Sequence, residues 1–428
     1  MSRFAPWPFF DIDSRLLNLD EQIIKEIKEQ FEKIDSIAQF NQQKVLSAFI
    51  KHKVSEMHLG ISTGYGYDDI GRDTLEKLWA DCMGAEDSLI RHNFVSGTHT
   101  LCVALFGVLR PKDKMLCLTG RPYDTLIGVL GIDGQVDGSL KDFGVEYSQV
   151  DLKKDGTPDQ EAIIKALKKD KYKMAYIQRS RGYSLRPSLS IEEIEKLCKI
   201  VKEISPETII MVDNCYGEFV QTKEPTQVGA DLIAGSLIKN PGGGIAPTGG
   251  YIAGRHDLVE QCAFRLTAPG VGREVGATLG HNREMYMGVF AAPHTVGEAL
   301  KTAVYCSALF SKLGYEVTPS PFEDRADIIQ AVILGNRKAL IAFCKGMQSG
   351  APIDSFVSPE PWAMPGYTDE VIMAAGSFTL GASIELSADA PLREPFAAWM
   401  QGGLNFHSGQ MGVLLAADSM AKKGLLTL

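Results

Sequence analysis

Residues 208–244 read TIIMVDNCYGEFVQTKEPTQVGADLIAGSLIKNPGGG. The run Thr208-Ile209-Ile210-Met211-Val212-Asp213 is apolar and β-branched until it ends in an acid, the pattern of a strand buried on both faces. Leu232-Ile233-Ala234 is a second apolar run, which leads through Ser236 to Lys239 and a Pro241-Gly242-Gly243-Gly244 turn. Asp213 and Lys239 are 239 − 213 = 26 residues apart, enough for one crossover between neighbouring strands. Ligands of open α/β sheets gather at such strand ends.

Working outward, apolar runs and amphipathic stretches alternate. Strands are expected over 88–94, 115–118, 145–150 and 174–178, with helices over 73–83, 98–109 and 159–169. Ser190-Ile191-Glu192-Glu193 is a capping box that opens a helix running to about Ile204. This alternation predicts an α/β domain whose mostly parallel sheet carries helices on both faces. Before it, Ile23, Ile24, Ile27, Phe31, Ile34 and Ile37 recur at three- and four-residue steps. That spacing predicts an N-terminal helical stretch, packed on its own domain or reaching over a second subunit. Leu59 to Tyr67 is Gly- and Tyr-rich loop, and a long helix is expected after Thr295. The expected division is an N-terminal arm over 1–57, a large domain over 58–290 and a smaller α+β domain over 291–428. No internal repeat or low-complexity segment interrupts it.

Composition narrows the function. A net charge of -9 disfavours nucleic acid and anionic membrane as partners, because both need a basic footprint. The eight cysteines are scattered without a CxxC pair, which points to reduced thiols in a cytoplasmic protein and away from zinc. No apolar run approaches the ~20 residues of a membrane span, and residues 1–10 lack signal-peptide anatomy.

The chemistry centres on Lys239. A lysine amine beside an acid at a strand end is the arrangement in which pyridoxal 5'-phosphate is held as a Schiff base and its pyridinium nitrogen is kept protonated. Apolar flanks, Leu237 and Ile238, are expected to lower the Lys239 pKa and free the amine. Ser96-Gly97-Thr98-His99 lies where a helix begins after a strand, so its backbone N–H groups suit a phosphate, and Ser236 can add a donor. Tyr123 follows the strand at 115–118, where an aromatic ring can stack on a cofactor. Cys215 reads as a buried structural thiol, and His99 and His294 as structural histidines at least as readily as ligands.

These segments resemble fold-type I pyridoxal-phosphate enzymes of the cystathionine and methionine lyase group. More closely, the chain resembles the bacterial aluminium-resistance or methionine γ-lyase-like family. The resemblance is carried by residues 95–100, 120–126, 178–183, 212–219 and the Lys239 segment, and continues through 266–272, 292–294 and 401–404. It implies the fold-type I transferase fold. It implies that Lys239 binds pyridoxal 5'-phosphate covalently and then moves protons, and that Asp213 pairs with the pyridinium. Tyr123 would stack on the ring, and Ser96, Gly97, Thr98 and Ser236 would hold the phosphate. A tyrosine, Tyr67 or Tyr65, would reach a neighbouring subunit's cofactor. The implied activity is carbon–sulfur lysis of a sulfur-containing L-amino acid in a dimer-based homo-oligomer, a tetramer. Transamination, aldol-type cleavage and a non-catalytic sensor are the alternatives. A dinucleotide-binding oxidoreductase is disfavoured, because no GxGxxG strand–helix turn occurs in the N-terminal half.

The chain departs from the better-known lyases in three places. Ile238 stands where they carry a hydroxyl residue before the lysine. Asp68 and Asp69 follow Tyr67 where an arginine is expected, leaving Arg72 as substitute. The segment 402–407 lacks their carboxylate-binding arginine, for which Arg393 is the candidate. Nothing in the sequence forms an aluminium site.

Overall fold

The strand that ends at Asp213 lies at the centre of a seven-stranded sheet. The structure is a computed structural model that describes residues 9–134, 136–364 and 369–428. In chain order the elements are α1 (Ser14–Glu26), α2 (Lys28–Lys51), α3 (Ile70–Met83), β1 (Asp87–Arg91), α4 (Gly97–Val108), β2 (Lys114–Cys117), α5 (Asp124–Leu130), β3 (Glu146–Gln149), α6 (Gln160–Lys169), β4 (Met174–Gln178), α7 (Ile191–Ile204), β5 (Ile209–Asp213), β6 (Leu232–Ser236), β7 (Gly250–Gly254), α8 (His256–Leu266) and α9 (Asn282–Lys312). Then come β8 (Glu316–Thr318), β9 (Gln330–Ile333), α10 (Arg337–Ser349), β10 (Val371–Ala374), β11 (Ser387–Pro391), β12 (Ala397–Gln401) and α11 (Phe406–Lys422).

The chain divides into two compact units, Gln39–Pro293 and Met1–Ala38 with His294–Leu428. In the first, the strand order is β1-β7-β6-β5-β4-β2-β3. Strands β3, β2, β4, β5 and β6 are parallel neighbours, and β7 runs against both β6 and β1. Strands β4, β5, β6 and β7 are buried along their whole length, as apolar runs without alternation require when both faces are covered. The Ser190 capping box forms as the sequence predicts: Ser190 Oγ accepts from Glu193 N and Glu193 Oε2 accepts from Ser190 N.

In the second unit, five antiparallel strands run in the order β10-β11-β12-β9-β8, with α10 and α11 packed together. The stretch expected as part of an arm over 1–57 is divided between the units at residue 38. Leu16, Ile23 and Ile27 of its first part are fully buried, and Asp20 accepts hydrogen bonds from Tyr305 and Gln410. The periodic isoleucines therefore serve the unit's own core. The long helix begins at Asn282, before the expected Thr295, and Pro293 lies inside it.

One buried ion pair fixes the edge of the large sheet. Arg91 Nε lies 2.5 Å from Glu76 Oε1, each side chain 3% exposed, while the guanidinium also donates to the Val275 and Arg273 carbonyls. Burial pushes the Glu76 carboxyl up and Arg91 opposes it. Removing only the cation strands the acid, so Arg91→Met is expected to cost about 3–5 kcal/mol. A urea midpoint measurement checks this. The double variant Glu76→Leu/Arg91→Met is expected to regain a large part of the loss.

Candidate active site

The parallel strands deliver their last residues to one edge of the sheet. Gln178 ends β4 in register with Asp213 of β5, and Asp213 pairs with Ala234 of β6. Ser236 of β6 and Arg91 of β1 both pair with Gly250 at the start of β7, so the chain leaving β1 towards α4 starts from this same edge. A Cβ placed on Gly97, the first residue of α4, would sit 3.2 Å from Ser236 Cβ and 3.9 Å from Cys215 Sγ. Glycine here lets the backbone face this space directly.

Asp213 is buried, and both of its oxygens are engaged. Oδ1 accepts from Cys215 N at 3.1 Å and Oδ2 from Tyr176 O–H at 3.4 Å. Burial raises its carboxyl above the usual range, and Lys239 draws it back down. Lys239 follows β6, partly buried, with Nζ 4.0 Å from the centroid of the Tyr216 ring. Its pKa contradicts the expectation from its apolar flanks. Burial alone lowers it, but Cys215, Tyr216 and Asp213 outweigh burial, and the amine lies above the ordinary lysine value. The flanks Leu237 and Ile238 are neighbours in sequence, whereas the groups that set the charge come from β5 and the turn after it.

Thr98 Oγ1 and Thr125 Oγ1 hydrogen-bond at 2.7 Å, which ties the start of α4 to the turn holding Tyr123. The Tyr123 ring packs edge-on to Tyr183 and against Gly182. Ser96 caps α4, its Oγ accepting from His99 N at 3.0 Å, a bond that uses a lone pair and leaves the hydroxyl proton to donate elsewhere. His99 Nδ1 in turn accepts from Val95 N, a structural role. Burial pushes the Cys215 thiol well above its ordinary value, so it is no ready thiolate.

Tyr67 is exposed and stacks on Tyr65 with centroids 5.5 Å apart. The substitute arginine has other work: Arg72 is buried and donates to Gly66 O, Gly276 O and Asp73. Its guanidinium braces the tyrosine loop from within its own chain. Arg393 belongs to the other unit, where it is exposed and pairs with Asp369 at 3.2 Å. The structure thus gathers Lys239, Asp213, Ser236, Gly97, Thr98 and the Tyr123 turn around one sheet edge, and carries Tyr67 on a separate exposed loop.

Comparison with known proteins decides the family. The methionine gamma-lyase family model matches residues 16–421. The chain belongs to that family. It is 51% identical to the uncharacterized protein YnbB of Bacillus subtilis over 394 residues, covering 92% of this chain and 93% of that one. It superposes with a TM-score of 0.92 and 53% identity on the solved structure of a carbon-sulfur lyase involved in aluminum resistance from Clostridium novyi, covering 95% and 96% of the two chains. The pyridoxal-5'-phosphate dependent protein YhfS of Escherichia coli, at 16% identity and TM-score 0.62 over 91% of this chain and 97% of that one, shares the fold.

The family implies pyridoxal phosphate, and the residues present fit it. Ser236 Oγ is buried, with its residue 1% exposed, and it has no hydrogen-bond partner among the described residues. An orphaned hydroxyl costs free energy unless something accepts from it. It lies beside the N-terminus of the twelve-residue helix α4, whose dipole and unpaired N–H groups favour an anion.

From the sequence, Arg179 and Arg181 are candidates to contact substrate or phosphate with roles left open, whereas Tyr216, Asn214, Glu218 and Glu224 were not singled out. Arg179, fully buried, donates to Asn214 Oδ1 at 2.8 Å and to Gln221 at 3.2 Å, and lies 3.6 Å from Glu224. Glu218 Oε1 accepts from Tyr251 O–H at 2.8 Å, while its Oε2 has no partner among the described residues. The available signal was the density of polar residues in 213–224, directly after a fully apolar strand.

Burial raises the Glu218 carboxyl to about 8 from 4.5. The folded chain therefore binds this proton more tightly than the unfolded one. Its contribution to stability is complete below pH 4.5 and is lost as pH rises towards 8. In Glu218→Gln the side chain stays neutral. Melting curves are expected to show the variant gaining on the parent steadily between pH 5 and 8 (approximate limits set by the linkage), and equal slopes would contradict the assignment.

Proposed function

We propose that this protein is a pyridoxal-phosphate-dependent carbon–sulfur lyase acting on a sulfur-containing L-amino acid, of the cystathionine or methionine type. The observation that carries the reading is that Lys239 and Asp213 follow or end the neighbouring strands β6 and β5 at one sheet edge, where Ser236 carries an unpartnered hydroxyl beside Gly97. Membership of the methionine gamma-lyase family and the name of the Clostridium novyi neighbour support it.

In this reading, Ser236 O–H, the Gly97 backbone, Thr98 and Ser96 bind the phosphate, Tyr123 covers the ring, and Asp213 faces the pyridine nitrogen. Bound pyridoxal phosphate supplies an electron sink for the charge left on the substrate carbon. Lys239 would hold the cofactor, and its free amine would remove the substrate α-proton and keep it as an ammonium. The same ammonium can return a proton to the departing thiol. A β-leaving group needs one carbon deprotonation; a γ-leaving group needs a second, which the same amine would serve. Water then completes release of ammonia and a 2-oxo acid.

We further propose a homo-oligomer, a dimer of dimers, in which the exposed Tyr65–Tyr67 loop meets a second copy. Arg393 remains our candidate for the substrate carboxylate. All eight cysteines are free, in keeping with a reducing cytoplasm, and no helix among the described residues is long and apolar enough to cross a membrane.

The test is the absorption spectrum of the purified protein with pyridoxal phosphate, before and after L-cystathionine or L-methionine. A visible band is expected, abolished in Lys239→Ala, with release of thiol and 2-oxo acid that needs no amino acceptor. The Lys239→Ala rate should fall by roughly 10³-fold or more, the scale of a lost general base. No band after soaking with the cofactor overturns the reading. Turnover only with an amino acceptor moves it to transamination.

A further inference from the structure

Tyr216 is the one residue of the strand-end turn with both an unusual backbone and a direct view of the reacting nitrogen. Its φ is +71°, in the left-handed region that bulky side chains avoid. Phe219, three residues on, also has a left-handed φ of +61°. Such strain persists only when the surroundings over-determine it.

The surroundings are on hand. Arg179 grips the turn from behind through Asn214, and Glu224 Oε1 accepts from Phe219 N at 3.0 Å. Asn214 Nδ2 donates to Glu224 and to Tyr251, and Asn240 Nδ2 donates to Glu218 O, which joins the turn to the residue after Lys239. A Cβ on Gly217 would run into the Arg179 side chain, so the turn packs directly onto the buried guanidinium. These contacts leave the Tyr216 ring turned towards Lys239, with Nζ over its face at 4.0 Å. A cation within about 6 Å of an aromatic centroid is attracted by the ring quadrupole.

We infer that Tyr216 is a catalytic residue that holds the ammonium form of Lys239 on its ring face, the strained turn being maintained by the Arg179–Asn214–Glu224 network for that placement. The inference rests on the lyase reading for its purpose: Lys239 must carry the substrate proton between removal and delivery, and the ring face stabilises it while it does so. Other groups also face the amine. Asp213 lies across from it on β5, braced by Tyr176 of β4; Cys215 and the Tyr216 hydroxyl come from the turn; Glu218 lies behind them. The neighbours' contribution is separated from the ring's by changing only residue 216.

The experiment titrates Lys239 in the cofactor-free protein. Reductive methylation with formaldehyde and cyanoborohydride, read by mass spectrometry of the Lys239 peptide across pH, gives the midpoint at which the amine becomes reactive. Tyr216→Gly removes the ring and suits the left-handed φ, so the fold is expected to persist with its melting midpoint kept or raised. The Lys239 midpoint should fall by roughly 0.5 to 1.5 pH units, the size of a cation–π contact. Tyr216→Phe keeps the ring face and removes only the hydroxyl that also faces the amine, so it should lower the midpoint less than Tyr216→Gly does. An unshifted midpoint in Tyr216→Gly, or an equal fall in Tyr216→Phe, overturns the inference. In the cofactor-loaded protein, deuterium exchange at the substrate α-carbon should slow roughly 2- to 30-fold in Tyr216→Gly. If the parent protein exchanges no α-proton, the lyase reading fails while the titration still decides where Tyr216 acts.

Discussion

The placement of Asp213 and Lys239 at one buried sheet edge, each within the other's electrostatic influence, is the constraint on which the site depends. Each group sits where water is largely removed, and a charge so placed is costly unless an opposite charge and hydrogen bonds compensate it. Asp213 has the Cys215 N–H and the Tyr176 hydroxyl; Lys239 has Asp213 and the face of Tyr216. The result contradicts a simple apolar-pocket view of a reactive lysine. Asp213 and the turn after β5 raise the amine above the ordinary lysine value despite its burial.

Keeping that pair in place needs more than the strands. The turn after β5 lies over a buried polar layer of Arg179, Asn214, Glu218, Glu224 and Tyr251, all five 0% exposed. A polar network is useful in a core only when its members satisfy one another, because a half-satisfied network costs more than an apolar one. Here Asn214, Glu224 and Tyr251 find partners, Arg179 Nε and Glu218 Oε2 find none among the described residues, and burial favours the protonated form of Glu218. This layer converts the parallel sheet's ordinary strand end into a turn rigid enough to hold an aromatic residue in the left-handed region.

Much of this architecture is legible in the sequence. The run Met174–Gln178 and the Ser190 capping box appear in the structure with the bounds read from them, because an apolar run and a reciprocal cap act over a few residues. The placement of Lys239 and Asp213 at one edge of the sheet was also readable, since both follow or end apolar runs. The start of α9 was less so. Its first turns, 282–294, contain Gly288 and Pro293 and lie before the start expected at Thr295, yet Met285, Tyr286 and Val289 are buried there. Tertiary burial overrode a weak local signal.

The sequence by itself determined the class of fold, the lysine and acid, and the small residues that open α4, because each depends on local pattern and residue chemistry. Only the tertiary structure decided the charge state of Lys239, the meeting of Gly97 with Ser236, the burial of Arg72 and the orientation of Tyr216. Those depend on groups far apart in the chain, brought together when parallel strands end at one edge of the sheet. Electrostatics and packing follow distance in space, which spacing along a sequence does not encode.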